Sequence, residues 1–140
     1  MPGKSTVEAA RKDLKDGKSA STAAGEFVHE ELKHVREGEH GARSPQQAIA
    51  IGLSRARRAG IPLKPPSRGK ANDATRKRAE RDYTKGQTHP TSGVEGSTKR
   101  GRSRLAAMKR EPHDTASHSA LSRQAKSVAR RRVRTVQGPA

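Results

Sequence analysis

The chain has 140 residues, 31 Lys/Arg against 14 Asp/Glu, a single Phe, a single Tyr and no cysteine. Leu, Ile, Val and Phe together number 17, about 12% of the residues, below the roughly 20% under which a highly charged chain tends not to build a packed core. Disulfide staples, thiolate metal sites and Cys nucleophiles are excluded, and the rigid walls of an enzyme pocket are disfavoured.

In chain order, Ser5-x-x-Glu8 reads as a capping box that opens a helix to about Asp16, stopped by Gly17. Between Thr22 and Glu37, Ala24, Val28, Leu32 and Val35 recur at helical steps with Phe27 beside them, and Gly38 ends the segment. Ser44-Pro45-Gln46-Gln47 combines an N-cap, a proline in the first turn and Gln at the third helical position. Ala48, Ile49, Gly52, Leu53 and Ala56 then share a face, and Gly60-Ile61-Pro62 closes the helix. Residues 62–69 read as an extended linker. Asn72 caps a charged helix to about Lys85 whose apolar stripe is only Ala79 and Tyr83, and 87–101 reads as disordered. A short helix is predicted from Arg104 to Arg110. A last one begins at Ser117 or Ser119 and reaches about Val136, with Leu121, Ala125, Val128, Arg132 and Val136 in line and Val133 alongside. The fold class is therefore mainly α: a small helical module over 1–63, then a basic, partly disordered region over 64–140 with isolated helices, the C-terminal one near 117–136.

Charge is segregated along the chain. Residues 1–40 carry 7 Lys/Arg and 8 Asp/Glu, whereas 41–140 carry 24 and 6. Such a basic half suggests a polyanionic partner. Three clusters are candidates for phosphate contact. Arg55, Arg57 and Arg58 end the third helix beside Lys64, Arg68 and Lys70; complementing the helix dipole is the plainer role for them. Lys99-Arg100-Gly101-Arg102, with Arg104 next to it, resembles the core of an AT-hook, in which Gly lets an extended backbone lie deep in the minor groove. Arg123, Lys126, Arg130, Arg131, Arg132 and Arg134 form the densest run, whose mutual repulsion phosphates would relieve. A solvated basic tail is the alternative there.

The segment His29-Glu30-Glu31-Leu32-Lys33-His34 offers no zinc-protease pattern, because its histidines lie five apart, about 140° around a helix. No metal or cofactor is expected from it. Paired carboxylates in apolar surroundings, a Gly-rich phosphate loop and a nucleophile–base set are all missing, so no catalytic residue is assigned and an enzyme is not expected. With one Phe and one Tyr there is no stacking platform for single strands or RNA. No apolar run approaches the roughly 18 residues of a membrane span, and Met1-Pro-Gly-Lys-Ser-Thr leads into no signal-peptide core.

The run from Gly25 to Gly60 (GEFVHEELKHVREGEHGARSPQQAIAIGLSRARRAG) resembles a family of small basic bacterial proteins labelled plasmid-stabilisation or DNA-binding protein. Residues 119–132 (SALSRQAKSVARRR) are similar to their C-terminal parts. That resemblance implies a bacterial, nucleoid-side role and no catalytic residues. The expectation is a cytoplasmic, nucleoid-associated or plasmid-maintenance protein that binds duplex DNA with little sequence preference. The helices over 22–60 would then offer a contact for a second copy or a protein partner. An RNA- or ribosome-associated basic protein and an antitoxin-like interaction module are the alternatives.

Overall fold

A computed structural model describes residues 4–90 and 99–137, the side chains of 100–101 and 133–137 excepted. Among the described residues there are six α-helices and no strand: α1 (Lys4–Lys15), α2 (Ala20–Arg36), α3 (Pro45–Arg58), α4 (Asp73–Thr88), α5 (Lys99–Lys109) and α6 (His118–Gln137), with a 3₁₀ turn at Asp114–Ala116. The mainly helical reading holds.

Side-chain caps set the starts. Oγ of Ser44 accepts from the Gln47 amide at 3.2 Å, while Gln47 Oε1 accepts from the Arg43 amide at 2.6 Å. Ser19 Oγ accepts from the Thr22 amide and Asn72 Oδ1 from the Thr75 amide, at 3.2 and 2.8 Å. The first helix departs from expectation: Lys4 is already helical, so Ser5 lies inside the first turn and is not its cap. Glycine sets the stops. Gly17, Gly38 and Gly60 have φ of +82°, +79° and +95°, which allows the next amide to reach back to Asp13, His34 and Ala56 carbonyls at 2.9, 3.0 and 3.1 Å. Ser44→Ala should lower stability by about 1 kcal/mol, read from urea unfolding followed by circular dichroism.

The chain escapes the limit set by its scarce large apolar residues by packing alanine. Val7, Ala10, Ala23, Ala24, Phe27, Ala56, Ala59 and Ile61 form one buried cluster between α1, α2 and α3. Val35, Ala42, Ala48 and Ala116 form a second, with Leu32 against it. Small side chains let the helix axes come close. At the α2–α3 crossing, a Cβ on Gly52 would stand 2.7 Å from Val28 Cα. Ile49 and Leu53 are only half-buried; the buried positions of α3 are Ala48, Gly52, Arg55, Ala56 and Arg57.

The boundary expected at residue 63 is crossed in two places. Helix α4 packs on α3, with Ser54 Oγ donating to Asp82 Oδ2 at 2.5 Å and Gln87 Nε2 to the Gly60 carbonyl at 3.1 Å. The last turn of α5 and the segment after it dock on the α2–α3 loop, where the Gly41 and Ala42 amides donate to the Met108 and Pro112 carbonyls, each at 2.8 Å. Of the stretch 87–101 expected to be disordered, residues 87–88 end α4 and 99–101 begin α5, and 91–98 lie outside the described residues.

Candidate nucleic-acid interface

Arg55 and Arg57 do not face solvent. They are 8% and 9% exposed, because α3 turns them towards its own neighbours. Arg55 Nη1 bonds Oε2 of the buried Glu31 on α2. Arg57 donates from Nε to the Leu63 carbonyl at 3.1 Å and from Nη2 to the Lys64 carbonyl at 3.4 Å, which ties the 62–69 linker to α3. Arg58 Nε lies 3.8 Å from Asp82 Oδ1 on α4. A buried guanidinium cannot be transferred to a phosphate without leaving a buried carboxylate or carbonyl behind. The expected phosphate contacts of Arg55 and Arg57 are therefore replaced by structural ones, and Arg58 is engaged at the α3–α4 seam.

The proposed hook also takes another form. Lys99-Arg100-Gly101-Arg102 is the first turn of α5, so its backbone is coiled and cannot line a groove as an extended ribbon. Lys99, Arg102 and Arg104 are exposed on this helix.

Helix α6 brings its basic residues together. Arg123, Lys126 and Arg130 recur at steps of three and four, so they share one side, opposite Leu121, Ala125 and Val128. Leu121, Ala125 and Val128 line a shallow groove with Ile49 of α3. Arg123, Lys126, Arg130, Arg131 and Arg132 are all exposed, and Arg131 Nη2 donates to Ser127 Oγ at 3.3 Å. The side chain of Arg134 lies outside the described residues. Neither α5 nor α6 contains an Asp or Glu. In α4, by contrast, Arg76 is paired with both Asp73 and Glu80, at 3.2 and 3.5 Å.

A cluster that the sequence reading overlooked lies where α2 ends. Glu31 is 1% and His40 2% exposed. His40 Nε2 stands 3.0 Å from Glu31 Oε1, on the other side of the carboxylate from Arg55. Burial by itself would raise the Glu31 carboxyl; the His40 imidazole and Arg55 guanidinium more than reverse this and hold it below its ordinary value. Facing that carboxylate raises His40 against the effect of burial. Burial lowers His34, whose Nε2 is 3.5 Å from both Glu30 Oε1 and Glu39 Oε2. The Glu31-x-x-His34 spacing was the only signal in the sequence; the return of His40 depends on the Gly38 turn.

Neither protein-family models, nor curated proteins, nor solved structures match this chain. The site is read from its own chemistry.

Proposed function

We propose that the protein binds duplex DNA with little sequence preference, as a nucleoid-associated or plasmid-maintenance accessory, through the exposed cations of α5 and α6. The observation that supports this reading is the sorting of charge. Arg55, Arg57 and Arg58 of α3 and Arg76 of α4 face carboxylates or carbonyls of their own chain, whereas α5 and α6 carry no acidic residue. A helix face of Arg123, Lys126 and Arg130 presents three cations one turn apart, which suits a row of phosphates.

Fluorescence anisotropy with an AT-rich duplex, a GC-rich duplex and a structured RNA, over a range of salt concentrations, tests it. Each phosphate neutralised contributes about −0.9 to the slope of log K against log salt. Converting Arg123, Lys126, Arg130 and Arg131 together to Gln should flatten that slope by roughly 3–4 and weaken both duplexes equally. Converting the exposed α1 residues Lys12 and Lys15 should leave it unchanged. An unchanged slope in the α6 variant would remove this helix as the interface. Tighter binding to RNA than to either duplex at every salt concentration would replace DNA by RNA as the partner.

A further inference from the structure

We propose that Glu31, His34 and His40 form a binding site for one divalent transition-metal ion, with Zn²⁺ the best fit, at the end of α2. Glu31 and His34 share a helix face three residues apart, and the Gly38 turn folds His40 back onto them. One ligand atom from each lies within 4.8 Å of the others. The two imidazoles meet edge to face, with ring centres 6.0 Å apart at 83°.

Two buried ligand atoms that lack hydrogen-bond partners, set within this cluster, carry the inference. Its Nδ1 lies 3.1 Å from the Gly41 carbonyl oxygen. A carbonyl only accepts, so Nδ1 holds the hydrogen, and in the neutral ring Nε2 then presents a lone pair. That lone pair stands 3.0 Å from Glu31 Oε1, itself an acceptor. Both atoms are buried, and neither has a hydrogen-bond partner. Two buried acceptors at this separation repel each other unless a proton or a metal ion lies between them. An ion beside the N···O line would coordinate both atoms. A histidine that donates Nδ1–H to a backbone carbonyl is also oriented as metal-binding histidines commonly are.

Charge and donor type agree. Arg55 occupies Glu31 Oε2 and leaves Oε1 for the ion. Glu30 and Glu39 flank His34, so three carboxylates against one guanidinium leave two negative charges around a dication. Two imidazoles with one carboxylate suit Zn²⁺ and its neighbours; Ca²⁺ and Mg²⁺ prefer all-oxygen sites. Three protein ligands leave a fourth position of a tetrahedral ion open. The ion would also brace the loop on which 108–115 docks, since His113 Nδ1 donates to the His40 carbonyl at 3.0 Å.

The test uses the full-length chain stripped with chelator. Calorimetric titration with Zn²⁺ and visible absorption on titration with Co²⁺ should each give one ion per chain, and Zn²⁺ should raise the melting temperature. His40→Gln and His34→Gln should each weaken binding by more than the roughly 10–100-fold that loss of an outer-sphere partner costs. His29→Gln, exposed on the same helix, should leave binding unchanged. His34 stands outside the Glu31–Arg55 pair, so its variant stays informative if His40→Gln fails to fold by circular dichroism. Absence of stoichiometric binding at micromolar Zn²⁺ would overturn the proposal. So would unaltered binding by folded His34→Gln, or a loss in His29→Gln equal to that in His34→Gln.

Discussion

Glu31→Gln should destabilise the protein by about 3–5 kcal/mol, a large part of the roughly 5–15 kcal/mol by which a domain is ordinarily stable. The substitution keeps the side-chain volume and removes only the charge. Arg55, 8% exposed, then loses the carboxylate that it bonds across the α2–α3 seam, and the buried guanidinium must hold its charge against a neutral amide or draw in water. Urea unfolding followed by circular dichroism measures the loss. Glu37→Gln, on the exposed end of the same helix, should stay within about 0.5 kcal/mol of the parent. Replacing the pair together, Glu31→Leu with Arg55→Met, should cost less than Glu31→Gln alone, because no charge is then stranded. A Glu31→Gln variant as stable as the parent would mean that water reaches this seam.

Gly86→Ala should have opposite effects in a peptide and in the protein. In a peptide of residues 72–90, alanine should raise helicity, since it is favoured over glycine by about 1 kcal/mol inside a helix. In the folded chain the new Cβ would stand 1.7 Å from the Arg57 carbonyl oxygen and 3.1 Å from the Gly60 amide nitrogen. Both are backbone atoms and cannot rotate aside, so α4 must shift off α3. The loss should be at least the roughly 1–3 kcal/mol of an overpacked core. Increased protease cleavage within α4 of the full-length variant would show that this helix has come away. Equal gains in peptide and protein would place α4 away from α3.

Local signals in the sequence were enough to place α3 with both its ends and α2 with its C-terminal stop. Ser44-Pro45 with Gln47, and Gly60 followed by Ile61, act through atoms within six residues of one another, so their hydrogen bonds depend on little beyond the chain's own path. The same holds for the face of α6, where the 3.6-residue repeat alone sets Arg123, Lys126 and Arg130 opposite Leu121 and Val128. Long-range pairing was a different matter. Glu31 occupies a core position in the α2 stripe, yet a carboxylate there reads as solvated until Arg55, 24 positions away, is known to meet it. Arg55 and Arg57 read as phosphate ligands for the same reason: a helix end rich in arginine looks alike whether it faces water or a carboxylate. Gly86 carries no local sign of a tertiary role, yet a glycine there is what lets α4 touch the Arg57 carbonyl. Composition also underrated the core, since alanine contributes little area per residue and works only where backbones come close. Helix identity and phase were thus set by neighbours in the chain. Which charges are buried, which glycines are contacts and where His40 lies were decided by the tertiary structure, because each depends on an atom from another helix or loop.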